Sequence, residues 1–395
     1  MKVAIISSGD PGNLKGIMNY VQEKCTLLNR QSNDKMQFDF YLIRLYNSFF
    51  LNLLLGHPSY NKVRKDKAVT IGTITYQCLW VKYTLWDNLF TTKIRHRSIS
   101  SRYERKYGKK FKEYQVVSSH TILGHCMALY AKENYGIPYI TTWHGSDVNI
   151  MPVQYPRFVP ELKRLMDNAS INLFISKALM KSSDRISTSC KKDVIYTGPS
   201  EIFRRFGDKE REVLRRKLGV SGKKVVMFAG NLVPIKNVLQ LPLIFKAISD
   251  KYGPEKVEFW VVGNGPLESQ LRAGLECTGV VYKMYGMLLP EQMPEVFNSA
   301  DILLLISTNE GLGLVNMEAI QCGCNVLGSN VGGIPEVLGQ KNVFDLGDTF
   351  VDNISDRAVQ ILENEETPAP LPACFSWDAA INKEVGLYNL ACPSK

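Results

Sequence analysis

Residues 301–318 read DILLLISTNEGLGLVNME. The run DILLLIS is apolar without alternation and ends in small polar residues, the pattern of a strand buried on both faces of a parallel sheet. Gly311 and Gly313 then turn the chain, and the apolar spacing from Gly313 to Gly323 predicts a helix. Glu310 falls in the loop beyond the strand, and Glu318 more than a turn into the helix. Taken alone, the stretch is equally a strand–loop–helix join carrying two solvated acids.

The same rhythm runs through the chain. KVAIIS (2–7), FDFYLIRL (38–45), YQVVSS (114–119), YITTWH (139–144), INLFIS (171–176) and DVIYTG (193–198) form one series of short apolar runs separated by helix-like stretches. The rhythm restarts with KVVMFAG (224–230), VEFWVVG (257–263), VVYKMYG (280–286), DILLLIS (301–307) and CNVLGS (324–329). Two series predict an α/β protein with two Rossmann-like, doubly wound domains, and 395 residues exceed one comfortable core. The boundaries predicted are 1–200, 201–375 and a terminal helical segment, 376–395, with 62–112 as a basic, aromatic insertion that breaks the alternation of the first domain.

No apolar run approaches the ~18–20 residues of a membrane-spanning helix. The start, MKVAIISSGD, reads as a strand and not as a charged, apolar leader. Nine cysteines without a framework suit a reducing compartment, and Cys322 and Cys324 in QCGCN lack a metal-binding spacing. These features predict a cytoplasmic protein. Charge is uneven: residues 1–200 hold 29 Lys+Arg against 14 Asp+Glu, a net +15, while the remainder holds 19 against 24, a net −5. Within 62–112 there are 14 basic and 3 acidic residues, mixed with Trp80, Tyr83, Trp86 and Phe90. That segment reads either as packed aromatics with solvated cations or as a patch resting on an anionic membrane surface. No nucleic-acid-binding module is recognisable in it.

Ligands of open parallel sheets bind beyond the carboxyl ends of the strands, and four such ends carry candidate chemistry. SSGDPGNLKGIMNYV supplies Gly9, Gly12 and Gly16 before a helix, where backbone N–H groups and the helix dipole meet an anion. FAGNLVPIKN places Lys236 just inside the following helical segment, within reach of a diphosphate. VVGNGPLESQL turns on Gly263 and Gly265, with Pro266 as a first helical residue. The fourth is the stretch quoted first, where Gly313 and Leu314 would offer backbone N–H groups between the two carboxylates. Anion contacts in the middle and hydroxyl acceptors at both ends suit a nucleotide sugar.

In this order, the motifs of residues 222–390 resemble the retaining family 4 glycosyltransferases of the GT-B fold. FAGNLVPIKN is similar to their Gly-Arg-Leu…Lys segment, VVGNGP to their Val-Gly-x-Gly-Pro turn, and NEGLGLVNMEAIQCGCNVLGSNVGGIPEVL to their Glu-x7-Glu block with its Gly-Gly-x-x-Glu continuation. FSW (375–377) before a last helix matches too. In the first half only the KGIMNYV loop and TTWHGSDVN, with His144 and Asp147, carry the likeness. The resemblance implies two domains facing a cleft, with the last helix crossing back to the N-terminal domain. It implies that Lys236 holds the donor diphosphate, Glu318 the ribose hydroxyls and Glu310 the donor sugar. Gly313, Leu314 and Gly16 would meet the phosphates, His144 the sugar hydroxyls, and Met287 the base edge through its backbone. Two departures bear on charge: Asn231 stands where the family usually has an arginine, and Lys15 where many members have glycine. Leu312 replaces a frequent aromatic.

The implied activity is retaining transfer of a hexose-type sugar, with UDP the family-weighted nucleotide, to a glycan acceptor, lipid-linked, in bacterial cell-surface polysaccharide assembly (capsule or lipopolysaccharide). The enzyme would be peripheral on the inner membrane face. No Asp-x-Asp segment appears among the site loops, so neither a metal nor another cofactor is expected. The alternatives are a nucleotide-sugar epimerase or glycogen-type synthase on the same fold, an oxidoreductase, which the missing G-x-G-x-x-G opposes, and a non-catalytic sugar-nucleotide sensor.

Overall fold

The structure, a computed structural model, describes residues 1–9, 17–47, 66–84 and 92–392. It forms two units, Met1–Tyr196 with Trp377–Lys395, and Thr197–Ser376.

The first unit is built on β1 (Lys2–Ser8), β2 (Gln37–Asn47), β3 (Ala68–Ile71), β4 (Ile74–Tyr83), β5 (Val116–His120), β6 (Tyr139–Trp143), β7 (Ile171–Phe174) and β8 (Lys192–Val194), in the order β3-β4-β2-β1-β5-β6-β7-β8. β1 lies between β2 and β5, with Val3 opposite Phe38 on one side and Val116 on the other. Its interior explains the placement: Val3, Ala4, Ile5 and Ile6 are all buried. Val3 and Ile5 face one apolar cluster; Ala4 and Ile6 face another that contains Met127 and Ala128 of the helix Thr121–Tyr135.

The stretch 62–112 departs from the sequence reading. β4 pairs in parallel with β2 from Tyr41–Gln77 to Asn47–Tyr83, and β3 closes the edge as an antiparallel hairpin. Residues 68–83 therefore belong to the sheet, and the β3–β4 hairpin replaces the strand–helix rhythm there. Gln77 and Lys82 interleave the apolar side chains and disguise the strand, while Ile74, Tyr76, Leu79, Trp80 and Val81 are buried. Trp80 packs edge-on to Tyr46 and beneath the Arg44 guanidinium, so it is a core aromatic and not a surface anchor. Trp86 and Phe90 lie outside the described residues.

The last helix, Trp377–Ala391, buries Trp377, Ala380, Ile381, Glu384 and Tyr388, a stripe at helical spacing. That stripe joins Val3, Ile5, Phe38 and Val21 in one cluster of the first unit. The chain end therefore completes a core begun by the first strand.

The second unit contains β9 (Lys224–Ala229), β10 (Val257–Val262), β11 (Tyr282–Gly286), β12 (Ile302–Leu305), β13 (Asn325–Ser329) and β14 (Val343–Phe344), ordered β11-β10-β9-β12-β13-β14. All its pairings are parallel. This is the order 3-2-1-4-5-6 of a doubly wound sheet, reversing between β9 and β12. Phe259 of β10 stacks on Phe245 of the covering helix at 4.4 Å, and Trp260 faces the opposite layer.

Candidate active site

The carboxyl ends of β9 and β12 meet at the reversal point, where a doubly wound sheet leaves a crevice. Lys236 closes a 3-10 turn, Pro234–Lys236, and Asn237 follows with φ +54°; the helix proper starts only at Leu241. Lys236 is thus a loop residue, not the first-turn helix residue expected, because Pro234 and the left-handed Asn237 commit the backbone to a turn. Its ammonium lies 2.5 Å from Glu310 Oε2, and Ser307 Oγ donates to the same oxygen at 3.3 Å. The Thr308 N–H donates to Ile235 O at 2.9 Å, which ties the two loops together at the backbone. Both charged side chains remain partly exposed, at 22% and 17%. A lysine ammonium has three N–H donors, so this pair leaves Lys236 capacity for a second anion.

Glycines hold these loops. Gly332 has φ +57°, and a Cβ there would stand 1.9 Å from Glu310 O; the next residue, Gly333, donates its N–H to that oxygen. The Gly-Gly pair of SNVGGIPEV is therefore what seats the Glu310 loop. Gly263 and Gly265 act in the same way between β9 and β10: Cβ atoms there would collide with Gly230 O and Leu232 O. Leu232 N–H bonds to Asn264 O and Leu267 N–H to Leu232 O. Those bonds postpone the helix to Glu268, so Pro266 precedes it and is not its first residue. The observed work of both glycines is close packing of two loops.

Gly313, at φ +83°, precedes the helix Leu314–Gln321 and leaves the first-turn N–H groups of Gly313 and Leu314 without intrahelical acceptors. Glu318 lies on that helix. Burial pushes its carboxyl up to about 7, and it makes no hydrogen bond among the described residues. Asn231 is exposed beyond β9, and Met287 is 54% exposed just after β11.

In the first unit, Lys15 and Gly16 lie outside the described residues. Asp147 is buried and accepts the N–H groups of Gly145 at 2.9 Å and His144 at 3.3 Å, so it shapes its own loop. Burial pushes its carboxyl up against the opposing pull of those N–H groups. His144 Nε2 lies 3.0 Å from His120 Nδ1. His120 Nε2 lies 2.9 Å from the buried ammonium of Lys24, which ion-pairs with Glu384 of the last helix. Burial first, and the nearby Lys24 charge second, hold His144 down to about 3 and His120 well below the ordinary range. Thr121, at φ +67°, is a β-branched residue in a left-handed conformation where β5 meets its helix, and its hydroxyl pairs with Ser8 at 2.8 Å. Such strain gathers at functional crevices.

The sequence reading missed Lys24, His120 and Glu384. A lysine or glutamate in a helix reads as solvated. One signal was available: Glu384 falls in register with Trp377, Ala380, Ile381 and Tyr388 on the apolar stripe.

Residues 210–371 match the family model for glycosyl transferases group 1. The chain is 28% identical over 215 residues to the putative teichuronic acid biosynthesis glycosyltransferase TuaC of Bacillus subtilis (strain 168), which covers 54% of this chain and 52% of that protein. The match therefore spans about half the length of that relative. Among solved structures, sucrose-phosphate synthase from Thermosynechococcus elongatus superposes with a TM-score of 0.73 at 17% identity, covering 98% of each chain. Anabaena HepE in complex with UDP gives 0.69 at 16% identity, over 99% of this chain and 96% of that one. These likenesses establish the two-domain GT-B fold. The reversal point, with its Lys–Glu pair on glycine-seated loops, lies within residues 210–371, the segment that is similar to the group 1 glycosyl transferases.

Proposed function

We propose that the chain transfers a hexose-type sugar from a UDP-sugar to a glycan acceptor, lipid-linked, with retention at the anomeric carbon, in assembly of a cell-surface polysaccharide. The observation that carries the reading is the contact of Lys236 with Glu310 at the β9/β12 reversal. The name of the Bacillus relative, a teichuronic acid biosynthesis glycosyltransferase, supports the acceptor class. The UDP complex of the Anabaena structure supports the nucleotide.

Breaking the anomeric bond loads negative charge onto the departing diphosphate. Fixed donors placed beforehand stabilise that charge without reorganisation. Lys236 supplies a point charge, and Gly313 and Leu314 supply N–H groups. Glu310 loses its lysine partner to the diphosphate and turns toward the sugar, and Glu318 binds the ribose hydroxyls. His144 of the first unit contacts the sugar. On a front-side route the leaving phosphate oxygen takes the acceptor's proton, so no side-chain base and no divalent ion is needed. Arg105, Lys106, Lys109, Lys110 and Lys112 are exposed on the first unit and support docking to an anionic membrane face through charge alone, at about 1 kcal/mol each.

The test is a screen of UDP-sugars against free and lipid-linked glycans, with anomeric configuration read by NMR and turnover repeated in EDTA. Transfer with retention, undiminished by chelation, is expected. Donor binding without transfer to any acceptor, or donor epimerisation with no acceptor present, would overturn it. Flotation with anionic vesicles at physiological salt should carry the protein upward; absence of flotation removes the membrane reading.

A further inference from the structure

A buried polar chain in the first unit leads to His144 through three residues that play no part in that reading. It starts on the last helix, where Glu384 Oε1 accepts from Tyr388 at 2.5 Å, from Ser118 Oγ at 3.0 Å and from the Lys24 ammonium. Lys24 also donates to Ser118 Oγ at 3.2 Å and meets His120 Nε2 at 2.9 Å. Lys24 and Glu384 are 0% and 1% exposed at their side chains. A buried ion pair costs desolvation and is weak evidence for stability, so its retention calls for another account.

The direction of every bond follows from the donor inventory. An ammonium only donates, so His120 Nε2 is an acceptor. A neutral His120 then carries its proton on Nδ1 and donates it to His144 Nε2, 3.0 Å away. His144 Nε2 is an acceptor in turn, and its proton resides on Nδ1. Tyr20 stands edge-on to the His144 ring, with centroids 4.7 Å apart, and tilts against His120 at 5.7 Å, which fixes both ring planes. Nδ1 of His144 has no hydrogen-bond partner among the described residues.

We propose that Glu384, Lys24 and His120 are positioning residues that lock His144 in the Nδ1–H tautomer, so that it presents a donor and no acceptor to an oxygen of the transferred sugar. The proposal rests on the reading of His144 as the sugar contact. It narrows the substrate: a hydroxyl or ring oxygen accepts from Nδ1–H, whereas a protonated amine at that position has only donors to offer and is refused.

The test uses the full chain labelled with nitrogen-15 at its five histidines and long-range proton–nitrogen correlation. In the wild type, His120 and His144 should each show a protonated Nδ1 and an unprotonated Nε2. His120→Phe should leave His144 in mixed tautomers and lower kcat/KM about 10- to 100-fold, taking as a guide the scale known for outer partners of metal-bound histidines. His120→Asn, whose amide nitrogen replaces Nδ1–H, should restore both. A wild-type His144 protonated on Nε2, or a tautomer unchanged in His120→Phe, overturns the lock, and the wild-type spectrum decides the first even if a variant fails to fold. A locked tautomer with kcat/KM unchanged in His120→Phe overturns the sugar contact while the lock stands.

Discussion

Lys236 and Glu310 neutralise each other at 2.5 Å in the free protein. In the function proposed above, a diphosphate competes for the ammonium and frees the carboxylate. Lys236→Met should therefore lower kcat about 10²- to 10³-fold, the loss usual when one preorganised donor to a developing charge is removed, and steady-state kinetics at saturating donor would show it. Glu318 gives a second residue-scale expectation. Its carboxyl is raised from 4.5 to about 7 by burial, so the folded chain holds that proton more tightly than the unfolded chain does. Stability from this group is full below the unfolded value and is lost as pH rises through about 7. Relative to Glu318→Gln, the wild type should lose on the order of 2–3 kcal/mol between pH 5 and pH 8 in urea unfolding, at about 1.4 kcal/mol per pKa unit. Equal pH profiles would refute the burial account.

Loops seated by glycine are the working elements of the second unit. The register of β9, β10 and β12 fixes where their carboxyl ends lie, but the approach of one loop to the next depends on Gly263, Gly265 and Gly332. Gly332→Ala puts a methyl group 1.9 Å from Glu310 O at a φ of +57°. It should displace the Glu310 loop and reduce turnover far more than it reduces stability, the backbone strain amounting to about 1–3 kcal/mol. Kinetics paired with thermal melting separate the two effects. Much of this level was legible from sequence: the strand ends, the glycines and the two acids were all visible in FAGNLVPIKN, VVGNGP, NEGLGLVNME and SNVGGIPEVL. What those strings hid was the cause. A glycine needed for phosphate approach and a glycine needed for loop packing look the same until the neighbouring carbonyl is seen. β4 was hidden for a related reason, since its polar interleaving imitates a solvated segment.

The first unit is closed by the last helix. Trp377, Ile381 and Tyr388 enter the cluster of Val3, Ile5 and Phe38, so a core formed by residues near the start waits for residues near the end. A chain stopped after Ser376 should expose that cluster and lose soluble, monodisperse protein, as size-exclusion chromatography would report. Glu384→Ala is the finer probe. It leaves the Lys24 ammonium buried without its counter-ion, and breaking such a pair costs about 3–5 kcal/mol, which chemical denaturation would detect; Glu384→Gln should cost less because it still accepts from Lys24.

The sequence by itself determined the class of fold and the order of the site motifs. Buried parallel strands, helix spacing and glycine turns are local patterns, and each follows from a few neighbouring residues. It also put Lys236 and Glu310, 74 residues apart, in segments that follow two of the strands. Only the tertiary structure decided that these two touch, that Asp147 binds its own loop, and that Lys24, His120, His144 and Glu384 form one chain. The reason is sequence separation: Lys24 and Glu384 stand 360 residues apart. No local pattern distinguishes a charge facing solvent from one that a distant helix covers.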